Sequence, residues 1–249
     1  MPPPRSTSHV QPIVTVRDLT KRYGRLTALS GVSFSVYPGE VLGLIGPNGS
    51  GKTTLFECVA GVLPADSGAV SVDGRVLDVR GRASSLFYLP DAIAPWPAQT
   101  VSWALNFTLG YFGGRVERKE EVVERLALRP ILESPIGTLS KGERKRAVLA
   151  IGLLTPHPVL LVDEPFDGLD LRQSREVGTT LRAHAGEGRT LFLSIHQITD
   201  AAHVCDRFVL LSAGHVRGEG TYDELARVAA SEHHARAPRD LEDVVLALT

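Results

Sequence analysis

Short apolar runs alternate with polar turns through the first third of the chain. From about residue 12 the runs read IVTVRDL, VSFSV, VLGLI, AVSVDG and LFYLP, and turn sequences such as YPGE, VDGR and DVRG separate them. Runs of this length that are rich in β-branched residues and bounded by glycine or proline predict strands. We therefore expect this part of the chain to be rich in strands.

Helical periodicity replaces this pattern between roughly 98 and 155. The segments TVSWALNFTLGYF, ERKEEVVERLALRP and KGERKRAVLAIGLL are separated by prolines and glycines, which predicts a helical insert. Apolar strands and single helices then alternate, in PVLLVDEP, LRQSREVGTTLRAHA, TLFLSI, ITDAAHVC, RFVLLSAG and TYDELARVAA. Uninterrupted apolar strands joined by helices predict an α/β fold with a parallel sheet covered on both faces.

Composition excludes several classes of protein. With 249 residues, 43% of them apolar, the chain can bury a substantial core, and its formal charge of −1 argues against a nucleic-acid partner. Apolar stretches such as VLLV are far shorter than the ~20 residues that a membrane helix requires. Residues 1–12 have no apolar segment, so we interpret them as a disordered leader rather than a signal peptide. Cys58 and Cys205 suit buried free thiols in a reducing cytosol, not a metal site.

The segment GPNGSGKTT, residues 46–54, carries the first chemical signal. It fits G-x-x-x-x-G-K-[ST], follows an apolar strand and opens a helix. Glycines let consecutive backbone N–H groups surround an anion, and the helix N-terminus attracts phosphate. Lys52 then reaches the β- and γ-phosphates, and the Thr53 hydroxyl holds Mg²⁺. The alternative is a plain glycine-rich turn.

Two carboxylates end a later apolar strand, in PVLLVDEP. Asp163 is a candidate magnesium ligand, and Glu164 is a candidate general base that polarises the attacking water. Ligands bind at the carboxyl ends of parallel strands, which favours this interpretation over a solvated acidic loop.

The segment LSKGERKR is the third motif. Ser140 followed by Glu143 is also a capping box, so by itself the segment could be only a helix start. Together with the two motifs above, LSKGE resembles the signature sequence of the ATP-binding cassette (ABC) ATPases, and the resemblance spans residues 13–228 in the expected order.

This resemblance implies a fold and a domain layout. It implies an α/β P-loop NTPase core whose parallel sheet is flanked by helices, with an N-terminal antiparallel β subdomain. A helical subdomain at about 92–150 would be inserted in an ATPase domain of residues 13–228, leaving a C-terminal tail at 229–249 whose role the sequence does not reveal.

The resemblance also assigns site residues. Tyr23 is similar to the aromatic residue that stacks on adenine, although it could be an ordinary packed tyrosine. His196 resembles the switch histidine that contacts the γ-phosphate, and Asp170 in FDGLD resembles the loop through which paired subunits communicate. Nucleotide-binding candidates in the first and third motifs are Gly46, Asn48, Gly49, Ser50, Gly51, Lys52, Thr53, Thr54, Ser140 and Gly142.

In this family the signature of one cassette completes the ATP site of another. The resemblance therefore implies a homodimer when ATP is bound, with ATP and Mg²⁺ as ligands and integral membrane permease subunits as partners. It places the protein in the cytoplasm, on the inner face of the cell membrane. LSKG, FYLPD and HQITDAAHVCDR resemble drug, antibiotic or polysaccharide exporters, so we expect export.

Two positions depart from the family pattern. Lys141 stands where glycine is common, and Asp91 replaces the usual glutamine, a residue that contacts magnesium and senses the membrane subunit. Asp91 can still bind a cation, or it could only cap the turn after FYLP.

Two other functions remain as alternatives. A soluble ABC ATPase acting on ribosomes or DNA is less favoured, because this chain has one cassette and no sustained heptads between its two strand-end motifs. A nucleotide-binding regulator without turnover is disfavoured because Glu164 and His196 are both present.

Overall fold

The computed structural model describes residues 10–233 and 238–249. Most of the predicted leader at 1–12, and residues 234–237 of the predicted tail, lie outside the described residues. The rest contains two sheets and the helices that cover them, which agrees with the predicted α/β class.

The smaller sheet is antiparallel and lies near the N-terminus. Its strands are β1 (Val14–Tyr23), β2 (Leu26–Val36), β4 (Ser67–Val72) and β5 (Arg75–Val76), in the order β2-β1-β4-β5. Val14, Val16 and Leu19 of β1 are buried between partly or fully exposed neighbours, so this sheet has one apolar face.

The larger sheet has six strands. They are β3 (Val41–Ile45), β6 (Leu86–Leu89), β7 (Val159–Asp163), β8 (Thr190–Ile195), β9 (Arg207–Ser212) and β10 (His215–Gly220). Their order is β10-β9-β3-β8-β7-β6, and all neighbouring pairs are parallel except β10 with β9. The sheet is therefore mixed at one edge, where the sequence predicted only parallel strands.

Nine α-helices lie within the described residues. They are α1 (Lys52–Ala60), α2 (Val79–Arg82), α3 (Val101–Phe112), α4 (Val116–Arg125), α5 (Lys141–Leu154), α6 (Leu171–Gly186), α7 (Ile198–Val204), α8 (Tyr222–His233) and α9 (Leu241–Leu248). Short 3-10 turns at Arg129–Ile131 and Ile136–Thr138 connect α4 to α5. None of the helices found in residues 10–233 and 238–249 has the length and apolar character needed to cross a bilayer.

The two faces of the larger sheet pack against different partners. Leu42, Leu44 and Phe192 join α1 and the antiparallel sheet in one apolar core, whereas Leu160 and Leu193 join the helices after α2 in a second core. Alternate side chains along each strand therefore serve different cores, which explains why β3, β7 and β8 are buried throughout.

The region between β6 and β7 is helical, as the sequence predicts. Helix α3 buries Val101, Ala104, Leu105, Thr108 and Leu109, a helical spacing that faces α4 and α5. Helix α5 is almost entirely buried from Arg146 to Leu154, because it lies between this helical region and β6.

The last helix belongs to the same packed structure. Leu241, Val244, Val245 and Leu248 of α9 are buried in the core that α7 and α8 also contribute to.

Cys58 is buried and free as predicted, and burial raises the pKa of its thiol to about 11. Cys205 is also free but only half-buried.

Candidate active site

Three neighbouring parallel strands end at the same edge of the larger sheet. Because β3, β8 and β7 are adjacent, residues 46–54 after β3, His196 after β8 and Asp163 at the end of β7 come together. Such an edge is where ligands bind in open α/β sheets.

Residues 46–54 form a tight loop that leads into α1. At Gly46 a Cβ atom would lie 2.1 Å from the carbonyl oxygen of Leu211, so no other residue fits. Gly51 has φ +107°, and a Cβ there would approach the carbonyl oxygen of Ala28 to 2.7 Å. Pro47, Asn48 and Gly49 are exposed at the tip of the loop, where their backbone is accessible to a ligand.

Lys52 is a buried cation at the base of this loop. Its side chain is 8% exposed, and Nζ donates to the carbonyl oxygen of Gly46 over 2.8 Å. The nearest carboxylate, Oε1 of Glu164, is 3.9 Å from Nζ. Ser50 Oγ is also buried and has no hydrogen-bond partner among the described residues. A phosphate group would supply an acceptor to Ser50 and a counter-charge to Lys52, so the loop fits a phosphate-bearing ligand.

Asp163 is a buried carboxylate, 2% exposed, that is held by hydroxyl groups. Thr53 Oγ1 donates to Oδ2 over 2.9 Å, and Ser194 Oγ donates to Oδ1. Tyr88 OH lies 3.5 Å from Oδ2, and burial beside this carboxylate raises the pKa of the Tyr88 hydroxyl, which keeps it protonated.

The contact between Thr53 and Asp163 fits Mg²⁺. A hydroxyl and a carboxylate oxygen are hard ligands, and Mg²⁺ is bound by one or two carboxylates while phosphates and water complete its shell. No group of three or more His, Cys, Asp or Glu side chains with metal-site geometry occurs in the described part of the chain.

Sequence reasoning missed Ser194. This serine is fully buried in β8, donates to Asp163 and accepts the backbone N–H of Glu164 over 3.0 Å. Its signal in the sequence is a serine that interrupts the apolar run LFLSI, two residues before His196. One side chain therefore holds the Asp163 carboxylate and the backbone of Glu164.

Glu164 and His196 contact each other directly. Oε2 of Glu164 lies 2.5 Å from Nδ1 of His196 and accepts the backbone N–H of His196 over 3.2 Å. Glu164 has φ +50°, a left-handed conformation that is strained for a residue with a side chain. With this backbone conformation the Glu164 carboxylate lies beside His196 and Lys52.

Three other predicted site residues lie at helix starts outside this cluster. Ser140 accepts from the backbone N–H of Glu143 and caps α5, and Asp170 caps α6 by accepting from the backbone N–H of Gln173 over 2.8 Å. Gly142 packs so closely that a Cβ would lie 2.9 Å from the carbonyl oxygen of Gly168. Ser140 and Asp170 are exposed, and in the described residues their hydrogen bonds stay within their own helix starts.

Tyr23 ends β1 and keeps an exposed ring. The residue is 47% exposed, and Nζ of Lys21 lies 5.7 Å from the ring centroid. The ring is not buried in the core, which leaves one face accessible to a base.

Asp91 follows β6 and forms an ion pair. Its Oδ1 atom lies 2.6 Å from Nζ of Lys145 on α5. Burial acts to raise the pKa of this carboxyl, but the hydrogen bond and charge of Lys145 outweigh burial, and the pKa is lowered. The backbone N–H of Ala92 also donates to Asp91. The structure thus shows a lysine partner and a turn contact for Asp91, and its role as a metal ligand stays a prediction.

Comparisons with known proteins agree with this geometry. Residues 29–167 match the family model described as ABC transporter. The chain is 32% identical over 238 residues to the Nod factor export ATP-binding protein I of Rhizobium etli, which covers 92% of this chain and 75% of that protein. It is 29% identical over 220 residues to the linearmycin resistance ATP-binding protein of Bacillus subtilis, covering 86% and 70% of the two chains.

Solved structures show the same similarity. A structure described as the ATP binding subunit of an ABC transporter superposes with a TM-score of 0.82 at 27% identity, covering 95% of this chain and 99% of that one. The family match spans more than half of the chain and contains both the glycine-rich loop and the strand-end carboxylates. This chain therefore belongs to the ABC transporter family, as one of its ATP-binding cassettes, which hydrolyse ATP.

Proposed function

We propose that ATP is hydrolysed at the sheet edge where Lys52, Thr53, Asp163, Glu164 and His196 meet, and that the reaction powers an exporter through a separate membrane permease. The observation that carries this proposal is the cluster itself. A buried lysine, a hydroxyl-bound aspartate and a glutamate held by histidine lie at the ends of three adjacent strands.

Each residue of the cluster has a distinct task. Lys52 exchanges the Gly46 carbonyl for the β- and γ-phosphates, with the Ser50 hydroxyl and backbone amides of residues 46–54 as further donors. Thr53 and Asp163 hold Mg²⁺, which neutralises charge on the phosphates when bound.

Glu164 and His196 act on water and on the γ-phosphate. Glu164 accepts a proton from the attacking water while the water oxygen bonds to the γ-phosphorus and the bond to ADP breaks. His196 keeps the Glu164 carboxylate in place through its ring and its backbone N–H, and its 40% exposed ring can reach the γ-phosphate.

A second copy of the chain completes the site. Ser140, Gly142 and Asp170 mark helix starts that make no hydrogen bond to residues 46–54 within the described part of the chain. The N-terminus of α5 offers a hydroxyl and a positive helix end, which suit phosphate. We infer that this end meets ATP held by another copy, that Tyr23 stacks on the adenine, and that the working form is a homodimer.

An exposed aromatic surface supports a permease partner. Trp96, Trp103, Phe107 and Tyr111 are 39%, 39%, 44% and 74% exposed and form a continuous cluster, in which Trp103 and Phe107 are stacked with centroids 5.1 Å apart. Contiguous exposed aromatic groups mark protein interfaces. We propose that a permease segment covers this surface and holds the subunit in the cytoplasm at the inner face of the cell membrane.

More of the relatives are named for export or drug resistance than for import, which is the direction of one of them, an sn-glycerol-3-phosphate import ATP-binding protein. Nod factor export and linearmycin resistance are the functions named for two of the relatives. A soluble role on ribosomes or DNA is less favoured because the relatives are transporter subunits and the formal charge of −1 provides no attraction to nucleic acid.

The test of the catalytic proposal is Glu164→Gln. The amide keeps the shape but cannot accept the proton, so we expect turnover to fall by about 10²- to 10⁴-fold while Mg²⁺-ATP still binds. The variant should accumulate as a dimer with ATP on a sizing column. Glu133→Gln, at an exposed position, is the matched control. Wild-type turnover of Glu164→Gln would exclude Glu164 as the base.

The permease proposal has a separate test. Phe107→Ser with Tyr111→Ser should lower the fraction of the protein that copurifies with membranes when it is expressed with its permease. Leu246→Ser, at a 73% exposed position on α9, is the control. Equal membrane recovery of all three proteins would contradict the assignment of the aromatic surface.

A further inference from the structure

Two lysines tie the first turns of α5 to the loops at the sheet edge. Nζ of Lys145 lies 2.6 Å from Oδ1 of Asp91, in the loop after β6. Nζ of Lys141 lies 2.5 Å from Oδ2 of Asp167, in the loop after β7. The lysines are four residues apart and therefore on one face of the helix. Asp91 and Lys141 are the two positions at which the sequence departs from the family pattern, and each belongs to one of these pairs.

The pair of Lys145 and Asp91 is the better shielded of the two. The side chain of Lys145 is 11% exposed and that of Asp91 37%, whereas Lys141 is 58% exposed. Solvent screens an exposed pair strongly, and a largely buried ammonium that loses its carboxylate has little water to replace it. Lys145 therefore depends on Asp91 much more than Lys141 depends on Asp167.

The loop after β6 needs such an anchor. Ala92 and Trp96 have φ +52° and +47°, which is unfavourable for residues with side chains. Asp91 is bound to α5 at one end of this stretch, and Trp96 packs on Trp103 and Phe107 of α3 at the other, with centroids 5.6 and 5.2 Å apart. The ion pair and the ring contacts together fix a strained segment between the sheet and the helical region.

We propose that Lys145 is a positioning residue for ATP hydrolysis: acting through Asp91, it fixes the start of α5, with Ser140 and Gly142, relative to the carboxyl ends of the strands. The inference rests on the proposed function, in which this helix start meets the ATP of a second copy. Displacement of a positioning group by about 1 Å can cost 10²-fold in rate. Lys145 therefore affects turnover without touching the nucleotide.

A double-mutant cycle tests the pair. Lys145→Met and Asp91→Asn each remove one charge with little change of size, and the double variant removes both. An exchanged pair, Asp91→Lys with Lys145→Asp, restores opposite charges. Lys119→Met on α4 is the matched control, since Lys119 is also a partly buried lysine, 19% exposed, but pairs with Glu120 outside α5. The measurements are kcat and KM for ATP, free Mg²⁺ at half-maximal rate, and ATP affinity of the dilute monomer.

The proposed interaction of Lys145 with Asp91 predicts a specific pattern of kinetic effects in these variants. Each single variant should lose about tenfold in kcat, and the double variant should lose no more than the worse single, because partners in one interaction are not additive. The exchanged pair should regain part of the loss. Monomer ATP affinity and the Mg²⁺ requirement should stay within about twofold of wild type, as should all values for Lys119→Met.

Several results would overturn the inference. These are wild-type kcat in the single variants, additive losses in the double variant, or an equal loss of monomer ATP affinity. A higher Mg²⁺ requirement in Asp91→Asn but not in Lys145→Met would instead make Asp91 a metal ligand. A wild-type protein that stays monomeric with ATP would overturn the proposed dimer and this inference with it, whereas an ATP-dimerising wild type whose variants keep full kcat would contradict this inference alone.

Discussion

Removing the hydroxyl of Ser194 should weaken both the fold and the reaction. In Ser194→Ala the Oδ1 atom of Asp163 loses a donor in a place where only 2% of the residue is exposed. A hydrogen bond to a charged group contributes about 1.5–3 kcal/mol. The substitution costs less stability at the backbone N–H of Glu164, because this group also donates to the carbonyl oxygen of Ser194 over 3.2 Å.

The expected loss is therefore about 2 kcal/mol in the free energy of unfolding, nearly all of it from the Asp163 contact. For a chain of this size that corresponds to a Tm lower by roughly 4–8 °C. Turnover should fall about tenfold, since residues that orient metal ligands typically affect metal affinity or activity by 10- to 100-fold. Differential scanning calorimetry and steady-state ATPase assays measure the two effects.

Ser212 on β9, which is separated from β8 by β3 in the sheet, provides the control. Ser212 of β9 donates its hydroxyl to a backbone oxygen of Thr249 over 3.1 Å, and Thr249 is exposed to solvent, which screens the contact. Ser212→Ala should lower stability by about 1 kcal/mol or less and leave turnover unchanged. Equal Tm values and equal turnover in the two variants would refute the reasoning, because the Asp163 carboxylate would then not depend on Ser194.

Three further predictions address the phosphate loop, the start of α5 and a buried histidine. Lys52→Ala should reduce Mg²⁺-ATP affinity about 100-fold or more by removing a charge-assisted contact with phosphate, and unchanged binding in equilibrium dialysis would contradict the loop assignment. Gly142→Ala should lower turnover, because its Cβ would meet a carbonyl oxygen at 2.9 Å, while Gly110→Ala, with no atom within 4 Å, should leave turnover unchanged and raise Tm slightly. His184 is fully buried beside Arg118, and burial followed by that charge lowers its pKa to about 3. The unfolded chain then binds a proton below about pH 6.5 that the folded chain does not, so stability should fall by about 2 kcal/mol between pH 7 and 5, and His184→Gln should remove that part of the slope in urea unfolding.

The sequence predicts those parts of the fold that depend on neighbouring residues. The run VLLV followed by two acids predicts a buried strand with carboxylates at its end, and β7 is buried over all five residues with Asp163 last. The glycine-rich loop before α1 is equally local, because its spacing alone determines where the backbone can turn. The helical region between β6 and β7 follows from its 3.6-residue periodicity.

Contacts between distant residues could not be predicted in this way. Ser194 and Asp163 are 31 residues apart in the chain, and only the parallel register of β7 and β8, which pairs these two residues, brings them together. Lys145 and Asp91 are 54 residues apart, and their contact depends on how α5 crosses the end of β6. A pattern in the sequence identifies the residue types but not these distances.

The antiparallel direction of β10 and the burial of α9 are two further features that the sequence pattern did not predict. Strand direction depends on the connection, and the two-residue turn between β9 and β10 at residues 213–214 permits only an antiparallel return. The segment LEDVVLAL has an apolar face, but the surface it covers is built from α7 and α8 and is visible only in the folded structure.

The two carboxylates of the strand end are prepared for different tasks by their surroundings. Asp163 lies in regular strand conformation, is almost fully buried, and has hydroxyl donors on both oxygens, so it is rigid and suited to hold a cation in one place. Glu164, one residue later, has a left-handed backbone and an exposed histidine as its closest partner. Its Oε2 atom accepts both contacts from His196, whereas Oε1 has only Lys52 at 3.9 Å, which leaves room for a water molecule at Oε1. Under the proposed function these neighbouring carboxylates would divide the work, Asp163 fixing the metal and Glu164 accepting the proton, because the chain changes its backbone conformation between them.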